Sequence, residues 1–255
     1  LLLVFALLLT LTARAEMHGI ARIPDPPPPV DGSLERIASS PTTFTWERRE
    51  NMVFGVEKWT GSADLSGQLF LGWDPNQLYI GAMVVDEAVA QPYFGRDVFK
   101  GDHVEVFLDV PRRDGAARSG KKLYQIGLSP GNFAPGEANV APEVVTWSPK
   151  LGIIPGAKIA ARRTEDGYWI EAALPWHSLG VENPQEGLRL GVDVTLSDAD
   201  MILDSGQETM CSLLTTPWDL RDPNRMLEVA LGDTAGEVAP GTIVADFTPL
   251  AAALR

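Results

Sequence analysis

Hydrophobic and polar residues alternate with period two along much of this chain. The clearest case closes the stretch Asp97 to Asp109: Val104, Val106 and Leu108 fall on one side of an extended segment, and His103, Glu105, Phe107 and Asp109 on the other. The first set reads as core. The second sets a carboxylate beside an aromatic ring, which suits either a flat polar ligand or a satisfied structural pair on a half-exposed sheet. A hairpin is expected from residues 68–73 and 78–85, joined by Asp74 to Gln77, with its second arm apolar on both sides and therefore central in a sheet. Further strands are expected at 42–46, 52–59, 123–128, 143–147, 157–164, 168–174, 188–196 and 226–231, with Glu165 to Gly167 as a hairpin turn and a short strand at 242–247. Single helical turns fit 33–38, with Ser33 as a cap, and 175–179, starting at its proline. With about ten strands and hardly any helix, the predicted fold is all-β, a two-sheet antiparallel β-sandwich of the jelly-roll kind.

The first residues change the picture of where such a domain works. Leu1 to Leu11 is an apolar run short for a bilayer, followed by Ala13-Arg14-Ala15, a small-x-small cleavage pattern. We therefore expect a signal peptide over 1–15, truncated at its start, with an uncleaved anchor as the alternative, and a secreted or periplasmic protein. Ala21 to Val30 is rich in proline and reads as a stiff extended lead-in. The domain is expected over 16–235 and a tail over 236–255. A net charge of -13 disfavours nucleic acid and anionic membrane surfaces as partners, while a neutral ligand or a hard cation suits it. With Cys211 as the single cysteine, no disulfide can form within the chain, so stability must come from the core, a bound metal, or both.

Several motifs fail on chemical grounds. Gly127 to Gly131 spells G-x-S-x-G around Ser129, but Pro130 lacks the backbone N–H that an oxyanion hole requires. Gly115 to Lys122 approaches a phosphate-binding loop, yet Lys122 stands where a hydroxyl is needed and a strand follows instead of a helix. His18, His103 and His177 are too scattered for zinc. The acidic residues are more suggestive: Asp198 and Asp200 with Asp204, and separately Asp86 with Glu87, offer oxygen ligands to calcium, with solvated turn acids as the alternative. Glu105 and Glu171 would suit glycosidic cleavage if they faced each other, and otherwise read as structural acceptors. Trp218 sits in a polar, turn-forming stretch that ends at Pro223, where an exposed indole implies a partner.

Six blocks in order carry a resemblance: Pro29 to Gly32; Leu71 to Asp74 with Leu78 to Ile80 and Val85-Asp86; Gly101 to Asp109; Asp166 to Trp176; Gly191 to Val194 with Asp198; and Trp218 to Pro223. Together they resemble family 9 carbohydrate-binding modules over about Ile23 to Gly232. The resemblance implies a non-catalytic β-sandwich, often calcium-bound, that holds the end of an oligosaccharide or polysaccharide between two tryptophans beside a companion glycoside hydrolase. It assigns those rings to Trp218 and, with an indole replaced, to Phe99, and the carboxylate contact to Glu105. The family's glutamine falls near Thr195 and its arginine near Gly127, so two polar contacts are replaced. The sandwich also resembles haem-binding subunits of periplasmic dehydrogenases, for which Met83 is a candidate axial ligand without a clear lysine partner.

Overall fold

The computed structural model describes residues 18–238, apart from 28, 35–36, 39, 41–42, 111, 113–122, 201–205 and 214–221. Its strands are β1 (His18–Arg22), β2 (Thr43–Trp46), β3 (Met52–Phe54), β4 (Leu65–Trp73), β5 (Gln77–Asp86), β6 (His103–Asp109), β7 (Leu123–Ser129), β8 (Glu143–Ser148), β9 (Lys158–Arg163), β10 (Gly167–Pro175), β11 (Arg189–Asp198), β12 (Thr209–Ser212) and β13 (Leu227–Leu231). Helical structure among the described residues is confined to short 3-10 turns.

The strands form two layers. In the first sheet β8, β7, β6 and β11 lie side by side, and the far edge of β11 is shared by β13 along its first half and β12 along its second. In the second sheet β9, β10, β5 and β4 are neighbours, and β2 and β1 share the far edge of β4. β1 joins the layers: His18 to Ile20 pair with β13, and Ala21 and Arg22 with β4, both in parallel. All other pairings are antiparallel, as expected; the opening of the lead-in is a strand because it closes one corner of the sandwich.

Period-two alternation decides which residues meet between the layers. Val104, Val106 and Leu108 of β6 join Val192, Val194 and Leu196 of β11 and Ile80, Ala82 and Val84 of β5 in one buried cluster. A second, smaller cluster lies on the outer face of the second sheet. There Leu34 and Ile37 pack on Phe70, Tyr79 and Ala173, and they fit because Gly81 has no side chain: a Cβ there would stand 2.9 Å from each of them. Ala38 N donates to Leu34 O (2.8 Å), which fits the expected helical turn at this point; Glu35 and Arg36 are not among the described residues.

The expected strand over 52–59 stops at Phe54. Gly55 takes a left-handed φ of 64°, and a Cβ on it would strike the Glu208 carbonyl, so the chain turns away. At 175–179 the expected turn is a 3-10 turn, Trp176–Leu179, ended by Gly180 in the left-handed region (φ 74°). The expected strand at 242–247, the Gly115 to Lys122 stretch and residues 1–15 lie outside the described residues.

Candidate functional site

The outer face of the first sheet carries the residues that the alternation turned away from the core. Thr195, Glu105, Gly127 and Val145 occupy one cross-strand row over β11, β6, β7 and β8. Asp193, Phe107 and Gln125 form the next row, and Ser197 and His103 lie on the other side. Gln125 Nε2 donates to Glu105 Oε1 at 2.5 Å, which fixes the carboxylate against the sheet. Asp193 accepts from Ser212 Oγ at 3.0 and 3.1 Å. Thr195 is fully buried, and its Oγ1 has no hydrogen-bond partner among the described residues. A buried hydroxyl left unpaired is costly, so the row has a donor in reserve next to an acceptor.

An aromatic wall borders this floor. On β8, Thr146 pairs with Ile126 and Ser148 with Gln125, so Trp147 is the extra residue of a bulge. Thr146 Oγ1 donates to Ser148 O (2.7 Å) and Ser148 Oγ to Leu123 O (2.8 Å), which hold the bulge in shape. The bulge swings the indole over Gly127, where a Cβ would lie 2.8 Å from Cζ3 and still closer to Cη2. The ring is steadied by Nε1–H donating to Arg96 O (2.9 Å) and by an edge contact with His103, with centroids 6.0 Å apart. His103 Nδ1 is 2.8 Å from Gly101 O, which assigns the proton to Nδ1, and burial lowers its pKa to about 4, so the imidazole is neutral at ordinary pH.

Phe99 belongs to the 3-10 turn Gly95–Lys100 at the margin of this face. Gly95 N donates to Glu143 Oε1 (2.7 Å), tying the turn to β8, and Phe99 is 48% exposed with Lys100 Nζ 5.9 Å from its ring centroid. Glu105 and Thr195 are thus brought side by side and Phe99 to the rim, while Trp218 lies outside the described residues. Trp147 and Gln125 were missed from sequence. The signal for Trp147 lies in a bulge, and that for Gln125 only in a register.

The acidic residues converge at one end of the sandwich. Carboxylate oxygens of Asp86, Asp102 and Asp198 lie within 4.8 Å of one another, as do those of Asp64, Asp198 and Asp200, and of Asp86, Glu87 and Asp200. Asp86 and Asp198 each use one oxygen locally, whereas Asp102 uses both, its Oδ2 accepting from Ala90 N. Ala88 N donates to Asp86 Oδ1 (2.8 Å), Thr209 Oγ1 to Asp198 Oδ2 (2.7 Å), and Ala199 N to Asp102 Oδ1 (2.7 Å). Asp86 Oδ2, Asp198 Oδ1 and Asp200 Oδ1 are buried without a hydrogen-bond partner, and so is the Tyr168 hydroxyl. Burial, reinforced by neighbouring carboxylates, raises Asp86 to about 6 and Asp198 to about 8, and also raises Glu87, Asp102 and Asp200. Orphaned carboxylate oxygens that repel one another in an all-oxygen donor set fit a hard divalent cation. Asp86, Glu87, Asp198 and Asp200, all expected as candidate ligands, fall in these groups, joined by Asp64 and Asp102; Asp204 lies outside the described residues.

The glycosidic alternative fails here, and the reading of Glu171 as a structural acceptor holds. Glu171 lies on β10 in the second sheet, on its outer face, where Oε2 accepts from Asp31 N (3.2 Å) and Gly32 N (3.3 Å), so it cannot face Glu105 across a glycosidic bond. Met83 pairs with Gln68 and Trp169 on that same outer face. Ser129 is fully buried, with its Oγ accepting from Gly131 N (3.3 Å) in a turn, consistent with rejection of a serine nucleophile.

A family model described as "Carbohydrate family 9 binding domain-like" matches residues 30–234. Exoglucanase XynX of Acetivibrio thermocellus is 27% identical over 177 residues, 68% of this chain but only 13% of that protein. Among solved structures, a family 9 carbohydrate-binding module from Caldicellulosiruptor kristjanssonii in complex with cellotriose aligns with a TM-score of 0.58 at 17% identity, covering 90% of this chain and 98% of that one. A structure of a family 9 module from the same organism in complex with glucose gives 0.57 at 18%, covering 87% and 98%. At such identities the likeness is one of fold, a β-sandwich.

Proposed function

The chain belongs to the carbohydrate family 9 binding domain-like family, and from that premise we propose that it is a non-catalytic carbohydrate-binding domain linked to polysaccharide breakdown. The observation that carries the reading is the row Thr195–Glu105–Gly127 with Trp147 folded over its end. Glu105 supplies an acceptor fixed by Gln125, and the Thr195 hydroxyl supplies a donor. The indole offers a flat apolar surface for the C–H face of a pyranose. Phe99 on the rim and Trp218, which lies outside the described residues, complete the proposed aromatic set. A neutral, hydroxyl-rich chain end suits a protein of net charge -13 better than any anionic ligand.

The acidic cluster supports a second part of the reading: a structural calcium ion held by Asp86, Asp198 and Asp200 with Asp64, Glu87 and Asp102. Its ligands come from the end of β5 in one sheet and from β11 and the approach to β6 in the other, so the ion would clamp the layers. The relatives named above support work outside the cytoplasm beside a glycoside hydrolase, and no helix among the described residues is long and apolar enough to cross a membrane. Titration calorimetry with glucose, cellotriose and xylotriose tests the sugar site. Heat that saturates for the wild type and is lost in Glu105→Gln and in Trp218→Ala is the expected result; identical isotherms for all three proteins would remove this face from binding.

A further inference from the structure

The outer face of the second sheet holds a cleft on the opposite side of the sandwich from Glu105. Its floor is one register row, Thr45 on β2, Gln68 on β4, Met83 on β5 and Trp169 on β10, and Arg162 on β9 stands next to Trp169 in the same row. The cleft encloses about 440 Å³, within the range of small-ligand sites. One end of this face is filled by the Leu34 and Ile37 plug, so the open part is bounded and not a featureless sheet surface. Met83 and Trp169 are half-buried against that plug, and Thr45, Gln68 and Arg162 are exposed. The Arg162 guanidinium lies 4.6 Å from the Trp169 ring centroid, which flattens both into one platform. The hairpin acids Glu165 and Asp166 stand at the rim.

We propose that this cleft is a second carbohydrate subsite, taking a neutral pyranose of an oligosaccharide on the Trp169–Met83 floor. Four features narrow the occupant. The row crosses the face of the sheet, where the backbone of β4, β5 and β10 is already paired on both edges, so an added peptide strand would find no main-chain partner. The floor is a thioether beside an indole, the surface that packs against the C–H face of a sugar ring. Around it, Gln68 both donates and accepts, Thr45 does likewise, Arg162 donates, and the hairpin carboxylates accept, which is the mixed inventory vicinal hydroxyls require. The charged residues that line the cleft are the acids Glu47, Glu165 and Asp166, with Arg162 beside Trp169, so an anionic ligand is disfavoured.

The consequence is a module with one sugar site on each outer face, able to hold two chains of a polysaccharide at once. The ligand class is argued from the cleft itself; only the use of cellotriose as probe rests on the reading of the first face. The test uses the ¹⁵N-labelled chain carrying Glu105→Gln, titrated with cellotriose to about ten times a millimolar dissociation constant, while the indole N–H signal of Trp169, assigned with Trp169→Phe, is followed. A saturable shift of that signal, weakened at least about tenfold by Gln68→Leu, is expected. A Trp169 signal that stays still, or that moves with a lysine-rich peptide and not with cellotriose, overturns the proposal. In the wild type, movement of Trp147 alone would leave the first site standing and sink the second, whereas movement of Trp169 alone would do the reverse.

Discussion

The indole of Trp147 covers Gly127, so a methyl group on that glycine would stand 2.8 Å from Cζ3 of the ring and nearer still to Cη2. The position that the family resemblance gives to an arginine therefore has no room for a side chain while the ring is there, and an aromatic surface takes the place of a cationic one. Gly127→Ala should cost about 1–3 kcal/mol through overpacking. In a Trp147→Ala background the same change should cost less, because the ring clash is gone and only Val145 Cγ1, at 3.0 Å, stays close. Urea denaturation of the four proteins of this cycle measures the coupling, and additive losses would mean that the ring does not sit on Gly127.

The Thr195 hydroxyl offers a sharper probe of the proposed sugar floor. It is buried and lacks a hydrogen-bond partner among the described residues, so its removal sacrifices no bond of the free protein. Thr195→Val should leave stability unchanged or slightly raised, yet weaken cellotriose binding by roughly three- to tenfold, the worth of one hydrogen bond made only to ligand. Thermal melting and calorimetry on the same variant separate the two effects. A variant that loses stability and keeps full affinity would assign the hydroxyl to the fold.

Glu171 behaves differently, since its carboxylate already serves the backbone. It receives the N–H groups of Asp31 and Gly32, and burial raises its pKa from the usual glutamate range. Glu171→Ala should destabilise by about 1–3 kcal/mol, because two N–H groups lose their acceptor. Sugar affinity at the Glu105 face should not change, and no reducing sugar should be released from cello-oligosaccharides by either protein. Hydrolysis that vanished on this substitution would restore a catalytic role.

Much of this was legible in the residues. Alternation in β6 assigned Val104, Val106 and Leu108 to the core and Glu105 to a face, because a strand buried on one side writes its orientation into every second position. The acids Asp86, Asp198 and Asp200 were legible as ligand types, but not that strand ends in different layers bring them together with Asp64 and Asp102. Trp147 was read as one more strand residue, since a bulge leaves no periodic trace and only the partner strand reveals the extra residue. Whether Glu171 faces Glu105 or serves as a structural acceptor stays open in the sequence for a related reason: alternation tells which side of a strand a residue occupies, but not which sheet the strand joins.

The acidic cluster makes a prediction whose sign runs against ordinary acid denaturation. In the metal-free protein burial and mutual repulsion raise Asp86 to about 6 and Asp198 to about 8, above the usual aspartate value of 3.8. The folded state then binds more protons than the unfolded one between those limits, so stability falls as pH rises through that window. His103 acts in the opposite sense: its lowered pKa, about 4, makes folding favour the neutral ring, and stability from this group is lost as pH falls from about 6.5 towards 4. Calcium at the proposed site would remove the carboxylate penalty by binding the ionised form. The melting temperature in chelator should therefore drop between pH 6 and pH 8, and added calcium should raise it most at the upper end of that range. Asp198→Asn tests the assignment, because an amide in place of this carboxylate relieves repulsion and removes one ligand charge. The variant should melt at or above the wild type in chelator at pH 8 and gain far less from calcium. Superimposed melting curves for wild type with and without calcium, or a full calcium response in Asp198→Asn, would reduce the cluster to a set of protonated buried acids.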